Sequence, residues 1–343
     1  MTGAGWHSGA VAFACALASA PAVAAICRRW TLYDFPGPLK VHKKPIPRLG
    51  GAGIAIALVL SIVIECHAPR NVILWLAAFG VIWLAGLLDD IRGLSPFLRL
   101  AAQICSGILL WSAGWSLPLG VPALLNIAAI CGIVVVFVNA FNFLDGSDGL
   151  AAGVTAVIAG AYILAFGVHP DRLGLVVAWA VLGACLGFLE RNLPPATVFM
   201  GDSGSTILGF CVAFLGIDFI SRVPVQPDGL KWLFPLLVAA LPLVDGAVVV
   251  FRRLKRGHSP FLGDRRHYYD RWLARGWSPR KIALGSYAIT GLLGAVALWT
   301  TKSRLGPVAI LLCAVAAGIS LASIDRIPFR AQGQGSNRAP VNS

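Results

Sequence analysis

Two amides and two carboxylates crowd into the segment 139–149, between two long apolar runs. Asn142, Asp145 and Asp148 are three residues apart, so on a helical turn they share one face. Oxygen ligands at this spacing suit Mg²⁺, which proteins usually hold through one or two carboxylates together with substrate phosphates. A charge inside a membrane costs roughly 2.5–3.5 kcal/mol, so we expect this cluster at a membrane edge or in a wet cavity. A polar helix cap between two spans is the alternative.

Two further acidic motifs adjoin apolar runs. Asp89 and Asp90 end one run, and adjacent carboxylates repel each other unless a cation or a proton is near. They predict a metal ligand or a general base, and the alternative is a solvated helix end with Arg92 as neighbour. Asp202 opens another run, where a metal-holding carboxylate would stand beside backbone N–H groups that can bind an anion. The alternative there is a plain helix cap made by Asp202 or Ser203.

The loop 252–281 is the longest polar segment and carries ten Lys and Arg residues. Asp264 and His267 are three residues apart in it, and an aromatic pair follows at 268–269. A basic loop with aromatic residues predicts a site for a nucleotide diphosphate, with a lipid-headgroup patch as the alternative. The same anion has three more candidate ligands just before the second apolar run, namely Lys43, Lys44 and Arg48.

The elements that must position these side chains are membrane helices. Of the 343 residues, 57% are hydrophobic and only 13% are charged, against about 25% charged in soluble domains. The net charge of +13 is typical of basic cytoplasmic loops near anionic lipid, and we predict no nucleic-acid partner. The eight cysteines lie in or beside apolar runs without a CxxC pair, which predicts buried thiols rather than disulfides or a zinc site.

We therefore predict an all-α, polytopic integral membrane protein with eleven transmembrane helices. The spans are expected at about 9–27, 50–66, 72–88, 99–115, 121–138, 150–168, 173–189, 204–221, 231–251, 282–300 and 306–324. Pro242 should kink the ninth span, and Asp245 follows it with structural and functional roles both open. A single transmembrane domain is predicted to cover 1–325, and the polar tail 326–343 is predicted to be disordered.

The basic residues also predict an orientation. One side of the membrane carries 22 Lys and Arg residues and the other side carries six. By the positive-inside rule the first side is cytoplasmic, so the N-terminus is periplasmic and the C-terminus cytoplasmic. Ten of the fifteen acidic residues gather on the same side, which a metal-assisted site would explain. The cytoplasmic loops are 28–49, 89–99, 139–149, 190–203 and 252–281.

Taken together, these motifs resemble the polyprenyl-phosphate N-acetylhexosamine-1-phosphate transferases, the MraY/WecA-like family called glycosyltransferase family 4 in older naming. The matching pieces are Pro-Ile-Pro-Arg-Leu-Gly-Gly, Leu-Leu-Asp-Asp, Asn-Phe-Leu-Asp-Gly-Ser-Asp-Gly-Leu, Phe-Met-Gly-Asp-Ser-Gly-Ser and the Ser-Pro-Phe to His segment, at 45–51, 87–90, 142–150, 199–205 and 259–267. They come in the family's order, and eleven spans resemble the WecA-type branch.

The resemblance implies a reaction in the bacterial inner membrane, with the active site on the cytoplasmic face. An N-acetylhexosamine 1-phosphate passes from a UDP-N-acetylhexosamine to undecaprenyl phosphate, and UMP leaves. The step initiates O-antigen (lipopolysaccharide), exopolysaccharide or other cell-envelope glycan synthesis. It depends on Mg²⁺, with Mn²⁺ as an alternative ion.

The resemblance also implies roles for individual residues. Asn142 and Asp202 would hold the metal, while Asp89 and Asp90 would act near it, with one as a base for the lipid phosphate. Asp145 and Asp148 would orient the nucleotide or the water shell of the metal. The other candidate residues would bind the diphosphate and the rest of the substrate. They are His267, Lys43, Lys44, Arg48, Asp264 and Arg265.

Several alternatives remain open at this stage. Many relatives carry two or three histidines in the last motif, whereas this chain has one, in His267-Tyr268-Tyr269-Asp270. The sugar is therefore open among N-acetylglucosamine, N-acetylquinovosamine and N-acetylfucosamine, and a homodimer is open as the assembly. A membrane transporter and an inactive lipid-binding scaffold are the competing classes of function.

Overall fold

The structure, a computed structural model, describes residues 5–36, 44–67, 69–168, 172–225, 231–259 and 267–301. These residues form helices, as predicted, with one unpredicted antiparallel pair of two-residue strands, β1 (Tyr33–Asp34) and β2 (Ile46–Pro47). The helices are α1 (Trp6–Trp30), α2 (Gly50–Cys66), α3 (Arg70–Arg92), α4 (Pro96–Ser112), α5 (Ala123–Leu144), α6 (Leu150–Val168), α7 (Arg172–Asn192), α8 (Asp202–Arg222), α9 (Leu233–Val238), α10 (Ala240–Lys255), α11 (Tyr268–Ala274) and α12 (Pro279–Thr300).

Seven of the described helices are long and apolar enough to cross a membrane, namely α1, α3, α5, α6, α7, α8 and α12. The protein is therefore a polytopic membrane protein. The helices α2 and α4 are apolar but shorter, with 17 residues each. The predicted eleventh span, 306–324, and the tail 326–343 lie outside the described residues. The count of eleven spans and the orientation of the termini stay predictions.

The predicted ninth span, 231–251, is interrupted rather than continuous. The helix α9 ends at Val238, and α10 begins at Ala240. In an unbroken helix, residue 242 would donate its N–H to the carbonyl of Val238, and Pro242 has no N–H to donate. The predicted kink is thus a break between two helices, and Asp245 lies in the second of them.

The predicted loops begin and end in the wrong places at the acidic motifs. The helix α5 continues to Leu144 and α3 continues to Arg92, so Asn142, Asp89 and Asp90 are helical instead of lying in the loops 139–149 and 89–99. Their polar side chains are bonded to neighbouring helices rather than to solvent. Polarity therefore does not mark the end of a helix here.

The helix α8 is the centre of the bundle. Of residues 203–220 all except Thr206 are buried, and the helix packs against α2, α3, α5, α6, α7 and α9. A helix that is apolar on all sides needs such a complete cover. On the α3 side the rings of Phe210 and Phe214 lie 5.7 and 5.4 Å from the ring of Trp75. This packing fixes the position of Asp202, the first residue of α8.

Candidate active site

Asp90, in the last turn of α3, caps the helix α8. Its Oδ1 accepts the backbone N–H of Asp202 and its Oδ2 accepts that of Ser203, each at 2.9 Å. The free N–H groups of a first helical turn carry partial positive charge, so a carboxylate suits them. Gly201 precedes the helix with φ +73°, and a Cβ there would lie 2.7 Å from both Asp90 oxygens. The predicted cap by Asp202 or Ser203 is wrong, because the cap comes from another helix.

Arg48 lies behind this cap. Its guanidinium donates to the backbone carbonyl of Asp90, and the segment around it is tied to the residues before α8. The N–H of Phe199 bonds to the carbonyl of Pro47 at 2.7 Å, and the N–H of Gly50 bonds to the carbonyl of Phe199 at 2.9 Å. The structure thus places Arg48, a predicted substrate ligand, where it supports the acidic motif.

The second carboxylate of this motif, Asp89, meets Asp202. The two carboxylates are within hydrogen-bonding reach of each other, and Asp89 Oδ2 also pairs with Arg99 Nη1 at 2.9 Å. Asn142 Nδ2 donates to Asp202 Oδ1 at 2.8 Å and to Ser205 Oγ at 3.1 Å. Two touching carboxylates need a shared proton or a cation between them. Three residues from separate motifs, Asp89, Asn142 and Asp202, therefore meet at one point.

Asp145 and Asp148 follow the end of α5 and have different surroundings. Burial raises the pKa of Asp145 well above its usual range, and the neighbouring carboxylates of Asp202, Asp90 and Asp148 raise it further. Asp148 Oδ2 instead accepts the backbone N–H of Ala196 at 3.0 Å. The structure thus leaves Asp145 facing the carboxylate cluster, while Asp148 holds the loop between α7 and α8.

His267, the residue before α11, is bonded to Asp245 of α10. The His267 Nδ1 and Asp245 Oδ2 atoms are 2.6 Å apart, and each side chain is 6% exposed. The N–H of Tyr268 donates to Asp245 Oδ1 at 3.0 Å. The sequence left Asp245 without a role, although an acid just after Pro242 was the available signal.

Tyr269 connects α11 to the end of α5. Its hydroxyl donates to the carbonyl of Phe143 at 2.9 Å, and its ring lies parallel to that of His267 at 5.2 Å. A Cβ at Gly146 would lie 2.0 Å from the tyrosine hydroxyl oxygen, so the glycine leaves the space that the ring occupies. Burial raises the pKa of the Tyr269 hydroxyl well above its usual range, and Asp270 adds to that shift.

A cavity of about 430 Å³ lies between α4, α5, α10 and α11. Its polar wall is formed mainly by Arg99, Asn142, Asp145, Arg253 and His267. Sequence reasoning gave no site role to Arg99 or to two further lining residues, Gln103 and Asn139, which are bonded to each other at 2.9 Å. A narrow cavity of about 20 Å³ adjoins this wall and is lined by Asp89, Arg99 and Asn142 among others.

Asp202 and the other predicted site residues are not among those that line these cavities. Within the described residues, Asp90, Asp148 and Arg48 are bonded to backbone groups as given above. Lys44 is described and exposed. Three predicted substrate ligands lie outside the described residues, namely Lys43, Asp264 and Arg265.

A bundle of apolar helices with an acidic site at one end agrees with the family described as Glycosyl transferase family 4, whose sequence model matches residues 72–220. The chain is 30% identical over 307 residues to a decaprenyl-phosphate N-acetylglucosaminephosphotransferase from Mycobacterium leprae, covering 79% of this chain and 77% of that protein. It is 27% identical over 302 residues to an undecaprenyl-phosphate alpha-N-acetylglucosaminyl 1-phosphate transferase from Escherichia coli K12, covering 82% and 80%. The chain belongs to the polyprenyl-phosphate N-acetylhexosamine-1-phosphate transferase family.

Proposed function

We propose that the protein transfers an N-acetylhexosamine 1-phosphate from a UDP-sugar to undecaprenyl phosphate, with release of UMP. The observation that carries the proposal is the 2.8 Å bond between Asn142 and Asp202, beside a cavity that Arg99, Arg253 and His267 line. The names of the relatives favour N-acetylglucosamine as the sugar. In a cell the step would begin an O-antigen, exopolysaccharide or other envelope glycan, on the cytoplasmic face of the inner membrane.

The acidic cluster suits Mg²⁺, with Mn²⁺ as the alternative. Among the described residues no three His, Cys, Asp or Glu side chains form a complete metal site, but Mg²⁺ usually takes only one or two carboxylates and completes its shell with phosphates and water. Asp202 would hold the ion together with Asn142. The Asn142 Nδ2 group donates its hydrogen bond to Asp202, so Oδ1 is the atom that would bind the ion. When bound, the ion offsets the charge of the diphosphate.

The basic side chains of the cavity offset the remaining negative charge. The lipid phosphate and the sugar-nucleotide diphosphate are both anions, so their approach is the main electrostatic barrier. Arg99 and Arg253 line the cavity, and a guanidinium can bind a phosphate with two parallel hydrogen bonds. The Arg253 guanidinium carbon lies 5.2 Å from the centre of the Phe143 ring, which fixes its direction.

Asp145 is the carboxylate best placed to accept a proton from the attacking lipid phosphate. Both Asp90 oxygens are bonded to backbone N–H groups, and Asp89 is paired with Arg99. Asp145 lines the cavity, and the neighbouring carboxylates that raise its pKa make it a stronger proton acceptor than a free aspartate. The proton would pass from the lipid phosphate to the Asp145 carboxylate as the lipid phosphate oxygen bonds to the sugar-bearing phosphorus and the bond from that phosphorus to UMP breaks.

The test is release of UMP by the full-length protein purified in detergent. The assay contains undecaprenyl phosphate, Mg²⁺ and one of several UDP-N-acetylhexosamines, with EDTA as the control. We expect release with UDP-N-acetylglucosamine and none with EDTA. Folded protein that releases no UMP with any of the sugars would contradict the proposal.

A further inference from the structure

The pair of Asp245 and His267 is deeply buried, and its histidine lines the large cavity. The two residues belong to different helices along the chain, because Asp245 lies in α10 and His267 precedes α11. Nevertheless their side-chain atoms approach to 2.6 Å. A buried carboxylate is costly unless its oxygens are bonded, and both oxygens of Asp245 are bonded to the start of α11.

The two bonds of Asp245 act on consecutive residues. Oδ2 lies 2.6 Å from Nδ1 of His267, and Oδ1 accepts the N–H of Tyr268 at 3.0 Å. Because an ionised carboxylate can only accept, we assign the shared proton to Nδ1. The first bond defines Nδ1 as a protonated nitrogen of the imidazole, so Nε2 is the nitrogen left for a ligand. The second bond fixes the backbone that carries the ring.

Two aromatic rings lie beside the imidazole, one parallel to it and one tilted. The Tyr269 ring lies 5.2 Å away at an angle of 2°, and the Phe143 ring lies 5.7 Å away. His267 lines the large cavity together with Arg253 and Asn142. The imidazole is therefore fixed next to cationic and metal-binding groups, where an anionic ligand would lie.

We propose that Asp245 is a positioning residue of the transferase. It holds His267 with Nδ1 protonated so that Nε2 reaches a phosphate oxygen of the sugar-nucleotide diphosphate, and Asp245 itself does not touch the substrate. This inference rests on the proposed function. Loss of the hydrogen-bonded partner of a functional histidine lowers activity by about 10- to 100-fold in metal sites, and we expect an effect of that size.

The experiment is a double-mutant cycle on UMP release. The wild-type protein is compared with Asp245→Asn, His267→Gln and the double variant, with kcat and the KM for the UDP-sugar measured separately. We expect Asp245→Asn to lower kcat by about 10- to 100-fold with little change in KM. The double variant should be no slower than His267→Gln, because without the imidazole there is nothing to position.

Asp218→Asn is the matched control. Asp218 is also a buried aspartate in a helix, with Oδ1 2.6 Å from the Trp115 indole nitrogen, but it does not line the cavity. We expect this variant to keep the wild-type kcat. Thermal unfolding of each purified variant shows whether it is folded. Asp245→Glu keeps the carboxylate, so this variant should retain more activity than Asp245→Asn.

Several results would overturn the inference. If the fold-loss of kcat in the double variant equals the product of the two single losses, the residues act independently. A wild-type kcat for Asp245→Asn would show that Asp245 positions nothing. If Asp245→Asn does not fold, the cycle is run with Asp245→Glu, and multiplied effects count in the same way. Wild-type protein that releases no UMP would overturn the proposed function itself, and this inference with it.

Discussion

The Oδ1 atom of Asp90 lies 2.9 Å from the backbone nitrogen of Asp202. One acidic motif thereby holds the other in place, although 112 residues separate them in the sequence. The Asp-Asp pair at 89–90 consequently has two tasks, because Asp90 caps α8 while Asp89 contacts the Asp202 carboxylate.

Replacing Asp90 by Asn should destabilise the protein. An amide has one acceptor oxygen, so it can serve only one of the two N–H groups of α8 and leaves the other buried without a partner. Such a loss costs about 1–3 kcal/mol. We expect a lower Tm in thermal unfolding together with weaker stabilisation by Mg²⁺, because Asp202 is no longer held. A wild-type Tm for Asp90→Asn would show that the cap is not needed.

The carboxylate cluster should make stability depend on pH. The pKa of Asp145 is raised in the fold, so the folded state binds more protons than the unfolded state between the usual pKa of about 3.9 and the raised value. Stability from this group is therefore present at low pH and is lost as pH rises through the folded pKa. We expect the Tm of metal-free protein to fall across this window, and Asp145→Asn to flatten the fall. If Tm falls with pH as steeply in Asp145→Asn as in the wild type, Asp145 is not the group responsible.

Gly146→Ala should disturb the junction of α5 and α11. The new Cβ would lie 2.0 Å from the Tyr269 hydroxyl oxygen, and such overpacking costs about 1–3 kcal/mol. Gly160→Ala is the control, because a Cβ at that helical glycine meets nothing within 4 Å. Thermal unfolding should show a loss for the first variant and none for the second. Equal Tm values for both variants would mean that Tyr269 moves freely.

Arg253→Gln should weaken binding of the sugar nucleotide. A charged hydrogen bond contributes about 1.5–3 kcal/mol, so we expect the KM for the UDP-sugar to rise about 10- to 100-fold. Arg275→Gln is the control, since the Arg275 guanidinium lies over the Trp272 ring at 4.8 Å and does not line the cavity. A KM that rises equally in both variants would point to a general charge effect instead of a contact at the cavity.

The sequence predicts the helices well because apolar runs decide them. Ten of the predicted spans fall on described helices, including the broken ninth one, and Pro242 gives the reason for the break. The ends of the helices were harder to predict. Asn142 looked like part of a loop because its polar side chain is satisfied by Asp202 across the bundle, a contact that no local pattern reveals.

The site was predicted only in part for the same reason. The spacing of Asn142, Asp145 and Asp148 predicted a shared face. Asn142 and Asp145 line the cavity, but Asp148 bonds to the N–H of Ala196 instead. The division of work between Asp89 and Asp90 depends on where α8 begins relative to α3, and the partner of His267 depends on how α10 packs. Both are tertiary relationships, so adjacent residues of the same type received the same predicted role.

The most direct test of the metal-assisted transfer is a Mg²⁺ titration of UMP release with wild-type, Asp202→Asn and Asp218→Asn proteins. We expect wild-type and Asp218→Asn to respond to Mg²⁺ alike, and Asp202→Asn to be nearly inactive at all Mg²⁺ concentrations. A folded Asp202→Asn protein with the wild-type rate and Mg²⁺ response would contradict the central claim that the contact of Asp202 with Asp89 and Asn142 forms the reaction centre.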